Sequence, residues 1–267
     1  MSSIALVDVR KSYPLDGFSE PRHVLAGVSL VIAEGDVCAL LGPSGCGKST
    51  LLRIIIGTET LDDGTVTLDP DPKTGEVGIV FQADNCLPWL RVRDNVQFGM
   101  DSLNLSASDR RNAVAEALRK VKLSDKSDRY PASMSGGEQQ RVAFARLLAS
   151  GKKIWLLDEP FSALDARNRL LMRELLRERA HNDEVTTLLV THDLVEAVAL
   201  ADRIYVMSDV PSFISCSLDR VGELRDDNLL ALESHRYLSE IIGAREPSLP
   251  EGRLAGYVTR HTMKMLP

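Results

Sequence analysis

The sequence predicts an α/β fold with a mainly parallel sheet, an N-terminal antiparallel β sub-domain and an inserted helical sub-domain. First, short apolar runs alternate with helical stretches after about residue 150, a pattern typical of parallel strands covered on both faces. Second, two strand-like segments lie close together near the N-terminus, which favours antiparallel pairing. Third, apolar residues recur at helical spacing between about 83 and 150. We therefore expect a helical insertion between two strands of the main sheet.

The composition is that of an ordinary soluble globular protein. The chain has 267 residues, 44% hydrophobic and 26% charged, enough for one large domain carrying a sub-domain. Its net charge is −6 and it has no long basic run, so nucleic acid is not expected as a partner. No segment approaches the roughly 18 apolar residues of a membrane span, so any membrane role should be peripheral. Wide spacing without a CxxC pair predicts free thiols for Cys38, Cys46, Cys86 and Cys216.

In the N-terminal third, residues 2–9 and 24–33 are predicted strands, with Pro14–Pro21 as the loop between them. Val37–Leu41 is a short apolar run that ends at a glycine. A helix is expected from about Lys48–Ile56, because the glycine that follows is a natural stop. Together these segments predict the antiparallel sub-domain and the first strand–helix unit of the main sheet.

The remaining elements complete the alternation. Val77–Phe81 is a short apolar strand, and the helix around residues 113–121 should be capped by Ser106 or Ser108. Beyond the insertion, the predicted strands are Ile154–Leu157, Thr186–Val190 and Arg203–Met207, and the predicted helices are about 165–180 and Asp193–Ala201. The pattern weakens from about Asp209, and the last 23 residues are expected to form a loosely packed tail. We therefore divide the chain into a domain at 1–208, with its helical sub-domain at about 83–150, and an extension of unknown role at 209–267.

A glycine-rich loop provides the strongest functional signal. Gly42-Pro43-Ser44-Gly45-Cys46-Gly47-Lys48-Ser49 matches GxxxxGK[ST] between an apolar strand and a helix. The glycines let the backbone curl so that N–H groups face phosphate oxygens, and the helix N-terminus adds partial positive charge. Lys48 would neutralise the β- and γ-phosphates, and the Ser49 hydroxyl would ligate Mg²⁺. The alternative, a glycine-rich turn, does not account for the flanking strand and helix, so a P-loop NTPase core is predicted.

Two carboxylates, Asp158 and Glu159, follow the strand Ile154–Leu157. Ligands of open α/β sheets bind at the carboxyl ends of strands. Asp158 can hold Mg²⁺ through water and Glu159 can polarise an attacking water, the two tasks that phosphoryl transfer requires. Without the phosphate loop, a pair of surface charges would be the simpler interpretation.

Ser135-Gly136-Gly137-Glu138 is expected to open a helix that runs to about Ser150. The spacing of Ser135 and Glu138 fits a capping box. A capping box does not explain two adjacent glycines, which cost about 1 kcal/mol each in a helix. Glycines at that point let a phosphate approach bare backbone, so a second anion site is predicted at this helix N-terminus.

The segment Met134-Ser135-Gly136-Gly137-Glu138-Gln139-Gln140-Arg141 resembles the signature motif of ABC transporter ATPases. That motif usually begins with Leu, so Met134 and Glu138 are mild departures that leave the Ser-Gly-Gly core intact. The resemblance extends over residues 1 to about 208, because further motifs of the family follow in order. It implies an ATPase with the fold predicted above.

Four further positions resemble motifs of that family. Tyr13 resembles the aromatic residue that stacks on adenine, with Phe18 as the competing candidate. Gln82 resembles the Q-loop glutamine and His192 the switch histidine, and Asp165 ends a Ser-Ala-Leu-Asp segment similar to the D-loop. An ordinary strand aromatic is the alternative for Tyr13. Taken singly, the glutamine and the histidine would more often be satisfied polar groups at strand ends. Their order along the chain favours the functional interpretation.

The resemblance implies ATP as the nucleotide and Mg²⁺ as the metal. The implied catalytic residues are Glu159, His192 and Gln82, and the implied metal ligands are Ser49, Gln82 and Asp158. The implied nucleotide contacts are Tyr13, Gly42, Pro43, Ser44, Gly45, Cys46, Gly47, Lys48, Ser49, Thr50, Ser135, Gly136, Gly137 and Asp165.

The segment Leu87-Pro88-Trp89-Leu90, followed by Asp94-Asn95-Val96, narrows the resemblance to importers of nitrate, sulfonates, taurine, bicarbonate and similar small solutes. Such an ATPase lies on the cytoplasmic face of the membrane and hydrolyses ATP sandwiched between two subunits. The implied partners are integral membrane permease subunits, a second ATPase subunit (a homodimer is expected) and, indirectly, a periplasmic or extracellular solute-binding protein. For Trp89 itself, packing inside the insertion and docking a membrane subunit are equally compatible with the sequence.

Two rival functions stay open at this point. A non-transport ABC protein of translation or DNA repair would usually carry two cassettes or a long coiled-coil insertion, and this chain has neither pattern. An exporter ATPase is disfavoured by Leu87-Pro88-Trp89-Leu90. The sequence names neither the transported solute nor the identity of the second ATPase subunit.

Overall fold

The computed structural model describes residues 3–15, 17, 20–69, 76–83, 85–183, 185–226, 228–243, 248–250 and 252–260. These residues form two units. The first unit comprises the described residues up to 69 and from 186 onward, and the second comprises those from 76 to 185.

The predicted strands and helices are present in the predicted order, together with further elements that the sequence does not predict. The strands are β1 (Ser3–Tyr13), β2 (Arg22–Ile32), β3 (Val37–Leu41), β4 (Asp63–Asp69), β5 (Val77–Val80), β6 (Ile154–Asp158), β7 (Thr186–Val190), β8 (Arg203–Met207), β9 (Ile214–Leu218) and β10 (Val258–Arg260). The helices are α1 (Lys48–Ile55), α2 (Val92–Phe98), α3 (Ala107–Lys120), α4 (Gly136–Ala149), α5 (Ala166–Asp183), α6 (Leu194–Leu200), α7 (Val221–Asp226) and α8 (Asn228–Ile241). Short 3₁₀ helices lie at Ser124–Lys126, Pro131–Ser133 and Gly252–Tyr257.

An antiparallel sheet forms the N-terminal part of the first unit, with β1 between β2 and β4. Alternating apolar residues of β1, among them Ile4 and Leu6, are buried, as a sheet with one covered face requires. β1 runs on to Tyr13 instead of ending at residue 9, because it continues to pair with β2 through several register shifts. The expected antiparallel sub-domain is confirmed.

Strand β3 lies between β7 and β8 and runs parallel to both. All residues of β3 and β7 are buried, which explains why neither strand alternates between apolar and charged residues. The carboxyl end of β3 leads into the glycine-rich loop, so the loop is built on a fully buried, central strand of this unit.

The segment after residue 208 contributes to the core of the first unit. β9 pairs antiparallel with β8, and β10 pairs antiparallel with β9. Leu238 of α8 and Leu254 are buried together with Ile204 and Val206 of β8. The expected loose tail is therefore wrong for residues 252–260, whereas the domain boundary at 208 stays a prediction.

In the second unit, β5 and β6 run parallel, and α4 packs against α2 and α3. Ser106 caps α3 by accepting a hydrogen bond from the N–H of Asp109, which decides between the two predicted caps. Phe144 of α4 stacks on Phe161 with ring centroids 5.7 Å apart. The mainly parallel α/β class with an inserted helical sub-domain is confirmed.

The four cysteines are free, as predicted. Among the residues that the structure describes, no helix combines the length and the apolar character that a membrane span requires.

Candidate functional site

The phosphate loop joins β3 to α1, and its shape depends on glycine. Gly45 (φ 78°) and Gly47 (φ 101°) adopt the left-handed conformation that glycine tolerates best. A Cβ on Gly47 would lie 2.9 Å from side-chain carbons of Val24 and Leu25, so any larger residue would displace β2. Gly47 is also the N-cap of α1. The first N–H groups of α1 therefore adjoin a curled backbone, the arrangement that binds anions.

Lys48 is held at this loop by two carbonyl groups. Its side chain is buried, and Nζ donates to the carbonyl oxygens of Gly42 at 2.7 Å and Pro43 at 2.8 Å. Because both acceptors are neutral, these bonds position the ammonium group without neutralising its charge. Burial raises the pKa of the neighbouring Cys46 thiol, which therefore stays protonated and uncharged at neutral pH. The loop thus presents a positioned cation to an anionic ligand.

Tyr13, the predicted adenine-stacking residue, ends β1 in a polar cluster. Its hydroxyl donates to Glu59 at 3.1 Å, and Lys11 Nζ lies 5.2 Å from the centre of its ring. Lys11 also pairs with Glu59 at 2.8 Å, and this contact lowers the pKa of the Glu59 carboxyl. The half-buried ring is thereby fixed in orientation. Phe18, the competing candidate, lies outside the described residues.

His192 follows β7 at the start of α6. Its side chain is exposed, and the next residue, Asp193, caps α6 by accepting hydrogen bonds from the N–H groups of Val195 and Glu196. The cap fixes the chain direction at the carboxyl end of β7. An imidazole at that end of a parallel strand lies where ligands of such sheets bind.

In the second unit, two predicted catalytic residues meet at the carboxyl ends of β5 and β6. Gln82 Nε2 donates to Glu159 Oε2 at 3.1 Å. Because the amide nitrogen faces the carboxylate, the amide oxygen of Gln82 remains as an acceptor or metal ligand. Asp158, the last residue of β6, is only 8% exposed. The structure therefore brings together the glutamine and the carboxylates that the sequence singled out.

The backbone of Glu159 is unusual, with φ at 46°. Such a conformation in a non-glycine residue costs on the order of 1–3 kcal/mol and is concentrated at functional sites. The turn is held because the carbonyl oxygen of Glu159 accepts hydrogen bonds from the N–H and the hydroxyl of Ser162, at 3.2 and 3.0 Å. The carboxylate is thus aimed by a strained but well-supported turn.

A buried amide network behind this pair was not predicted from the sequence. Asn85 Oδ1 accepts from the N–H of Phe81 at 2.8 Å, and its Nδ2 donates to Gln140 Oε1 at 3.0 Å. Gln140 Nε2 in turn donates to the carbonyl oxygen of Pro160 at 3.0 Å. Phe81 and Pro160 are the immediate neighbours of the glutamine–glutamate pair, so the network fixes the backbone on both sides of it. Gln140 stands in the signature segment, but no sequence spacing predicts that the two amides meet.

The signature helix α4 begins with the predicted capping box. Ser135 Oγ accepts from the N–H of Glu138 at 3.3 Å, and the Glu138 carboxylate accepts from the N–H of Ser135 at 2.9 Å. Glu138 also pairs with Lys126, which is the first cause of the lowered pKa of its carboxyl. A glutamate at this position therefore gains an ion pair that a glutamine would lack.

The two glycines of the signature differ in what surrounds them. A Cβ on Gly137 would lie 2.7 Å from the carbonyl oxygen of Ala163, so packing against that segment requires glycine. A Cβ on Gly136 would meet only the Ala163 side chain at 4.0 Å. Packing thus accounts for Gly137 but not for Gly136, whose exposed backbone is open to a ligand.

Asp165 caps α5. Its carboxylate accepts from the N–H and from the side-chain amide of Asn168, both at 2.8 Å, and these bonds lower the pKa of the carboxyl. The side chain is exposed. Asp165 therefore carries a fixed negative charge next to the segment that packs on Gly137.

The predicted site residues divide between the two units. Tyr13, the phosphate loop with Thr50, and His192 belong to the first unit. The second unit holds the remaining predicted residues: Gln82, Ser135, Gly136, Gly137, Asp158, Glu159 and Asp165.

The chain is similar in sequence to known proteins. A family profile described as ABC transporter matches residues 25–162, just over half of the chain. The aliphatic sulfonates import ATP-binding protein SsuB of Rhodopseudomonas palustris (strain BisA53) is 38% identical over 247 residues, which is 92% of this chain and 85% of that protein. The bicarbonate transport ATP-binding protein CmpC of Synechococcus elongatus is 42% identical over 213 residues, or 78% of this chain. This chain spans 32% of the length of CmpC.

A solved structure is similar as well. The dimeric structure of a post-hydrolysis state of the ATP-binding cassette MJ0796 bound to ADP and Pi has a TM-score of 0.70 and 32% sequence identity. The match covers 79% of this chain and 94% of that chain. The chain therefore belongs to the ABC transporter family, of which it is an ATP-binding, ATP-hydrolysing subunit.

Proposed function

We propose that the chain powers the import of a small solute such as nitrate, a sulfonate, taurine or bicarbonate. Two copies would sandwich ATP between them, and its hydrolysis would drive the membrane subunits. The observation that carries the proposal is the phosphate loop, where Lys48 is buried and held on neutral carbonyls without an anionic partner among the described residues. The import of sulfonates and the transport of bicarbonate by the relatives named above support the solute class.

In this mechanism the loop from Gly42 to Thr50 binds the phosphates of ATP. Its N–H groups and the Lys48 ammonium group neutralise the β- and γ-phosphates, and the ring of Tyr13 stacks on adenine. The hydroxyl of Tyr13 is already bound to Glu59, so the ring needs little reordering to receive a base.

The donor chemistry of the proposed metal ligands fits Mg²⁺. Ser49 offers a hydroxyl, Gln82 an amide oxygen left over from its bond to Glu159, and Asp158 a carboxylate. These are the hard oxygen donors that Mg²⁺ takes, a few at a time and together with water and phosphate. When bound, Mg²⁺ supplies charge neutralisation to the phosphates.

Glu159 would orient a water molecule toward the γ-phosphorus and accept its proton. The water oxygen bonds to phosphorus while the bond from phosphorus to the β–γ bridging oxygen breaks, so that ADP and phosphate result. Gln82 is already hydrogen-bonded to the same carboxylate and would keep it oriented toward that water. His192 would donate a hydrogen bond to the γ-phosphate.

The signature motif would complete the site of the second subunit. Gly136 has no packing neighbour that forbids a Cβ, and Ser135 and Asp165 are exposed. Such an open helix N-terminus binds phosphate when another chain brings one to it. Dimeric structures of a similar cassette support a pair of ATPase subunits, and a homodimer is the simplest form of it.

Trp89 is the proposed contact to the permease. Its side chain is 70% exposed, so the alternative that Trp89 packs inside the helical insertion is wrong. It precedes α2 and follows the Gln82 segment, which would sense the γ-phosphate or its metal. We expect membrane subunits to dock here, which would place the chain at the cytoplasmic face of the membrane, with a solute-binding protein as an indirect partner.

The proposal is tested by ATP binding to Lys48→Ala. Loss of a charge-assisted contact should weaken ATP binding by at least about tenfold, because hydrogen bonds to charged groups are the strong ones. Isothermal titration of the purified chain with ATP and Mg²⁺ measures this directly. Lys153→Ala, which removes an exposed lysine outside the predicted site, is the control and should bind ATP as the wild type does. Unchanged affinity in Lys48→Ala would contradict the assignment of the loop.

A further inference from the structure

A turn that is distant in sequence from the phosphate loop is hydrogen-bonded to the backbone of that loop. The turn is formed by residues 208–213, where the N–H of Ser208 donates to the carbonyl of Phe213 at 3.0 Å and the N–H of Phe213 donates to Ser208 Oγ at 3.1 Å. Ser212 is fully buried in it, and its hydroxyl donates to the carbonyl oxygen of Cys46, 166 residues away. None of the roles proposed above uses this contact.

The backbone of Ser212 is also fixed. Its N–H donates to the carbonyl of Val24 at 2.9 Å, and its carbonyl accepts from the N–H of Ala26 at 2.8 Å. The side chains of Val24 and Leu25 are those that leave no room for a Cβ on Gly47. Strand β2 and Ser212 therefore both contact the phosphate loop where residues 46 and 47 are joined.

This hydrogen bond sets the direction of an amide in the loop. The peptide between Cys46 and Gly47 is trans, so its C=O and N–H groups point in opposite directions. With the C=O directed at Ser212, the N–H of Gly47 is directed away from the turn. Gly47 is the N-cap of α1, and its N–H belongs to the group of amides that would receive a phosphate.

We propose that Ser212 is a positioning residue for ATP: its hydroxyl holds the Cys46 carbonyl so that the Gly47 N–H is preset for the phosphates. The inference rests on the proposed binding of ATP at this loop. It assigns a role to a residue of the C-terminal extension, for which the sequence offered none. Preorganisation of this kind improves ground-state binding, because the loop need not be ordered when ATP arrives.

The chain contains a matched control for this contact. Ser215, three residues further on, is equally buried, and its hydroxyl donates to the carbonyl oxygen of Val206 at 3.1 Å. Ser212→Ala and Ser215→Ala each remove one hydroxyl from one buried carbonyl, so their effects on thermal unfolding should be similar. They differ in which backbone they release, because Val206 belongs to β8 and Cys46 to the phosphate loop.

The test is ATP titration and steady-state ATPase kinetics of both variants in the full chain. We expect Ser212→Ala to weaken ATP binding and to raise KM by about three- to tenfold, the size of one lost hydrogen bond, with kcat nearly unchanged. Ser215→Ala should bind ATP within about twofold of the wild type. Ser212→Cys keeps the shape of the side chain and replaces the hydroxyl by a thiol, which is a weak hydrogen-bond donor, so it should repeat the result and serves if the alanine variant does not fold.

Two outcomes would overturn the inference: wild-type ATP affinity in folded Ser212→Ala or Ser212→Cys, or an equal loss of affinity in Ser215→Ala. Lys48→Ala, measured in the same series, distinguishes a failure of the Ser212 role from a failure of the proposed function. If Lys48→Ala loses ATP and the Ser212 variants do not, only the role of Ser212 fails. If Lys48→Ala binds ATP as the wild type does, the proposed function fails with it.

Discussion

At the scale of single residues, Glu159 combines a strained backbone with a carboxylate that already has a partner. Its φ of 46° is tolerated because Ser162 supports the turn, and Gln82 donates to its side chain at 3.1 Å. A residue that only ended a strand would need neither feature. Strain kept in place by surrounding hydrogen bonds is typical of sites where the direction of one side chain matters.

Glu159→Gln tests this role. The amide cannot accept a proton from water, so hydrolysis should fall by about a hundredfold or more while ATP still binds. Since product does not form, ATP-bound dimers should accumulate and be visible by size-exclusion chromatography with ATP. Glu116→Gln, the same chemical change at an exposed glutamate of α3, should leave the ATPase rate unchanged. A fully active Glu159→Gln enzyme would refute the assignment.

At the scale of elements, the site depends on where strands end and where helices begin. β3 leads into α1 through the phosphate loop, and α4 opens with Ser135 and two glycines of different surroundings. Both helices begin beside glycines, where the first N–H groups have no acceptor within the helix, which is why phosphate is the common ligand predicted for them. The segment 87–90 differs, because its exposed tryptophan offers an apolar surface that phosphate would not bind. Contact with a partner protein explains that surface better.

Trp89→Ala should separate docking from stability. Because the side chain is 70% exposed, we expect thermal unfolding and basal ATPase near wild type, but association with the membrane subunits at least about tenfold weaker, as for an interface hot spot. Co-purification with the permease and solute transport measure the loss. Leu170→Ala, which removes another exposed apolar side chain of the same unit, is the control and should assemble normally. Strong destabilisation of Trp89→Ala together with loss of basal ATPase would make Trp89 a structural residue instead.

At the scale of the whole molecule, the order of elements could be read from the sequence, but contacts between distant segments could not. Thr186–Val190 and Arg203–Met207 match their predictions because each contains the short run of apolar residues that is typical of a buried strand. β9, with the sequence Ile-Ser-Cys-Ser-Leu, was missed because its serines interrupt the apolar pattern although every residue is buried. The bond from Ser212 to Cys46 was missed for another reason, since it joins residues 166 apart in the chain.

The candidate site shows the same limit. The residues Gln82 and Glu159 follow apolar strands, so both could be located at strand ends from sequence. Their direct hydrogen bond, and the Asn85–Gln140 network that holds it, depend on how the segment after β5 folds back, which no periodicity encodes. Sequence spacing identifies the functional groups, whereas packing sets their mutual orientation.

In the proposed dimer, each ATP is enclosed by the phosphate loop of one subunit and the signature motif of the other. The measurement that tests it most directly is ATP affinity of Ser135→Arg, determined at a concentration where the chain is monomeric, beside its ATPase rate. Ser106→Arg is the matched control, because it removes the serine cap of another helix in the same unit.

We expect monomeric Ser135→Arg to bind ATP within about twofold of the wild type but to lose hydrolysis, because a bulky charge at the signature blocks closure of the dimer and leaves the phosphate loop intact. Ser106→Arg should retain both properties. If monomeric Ser135→Arg instead loses ATP binding as strongly as Lys48→Ala does, the site shared between two subunits is refuted, because Ser135 would then belong to the same site as Lys48 within one chain.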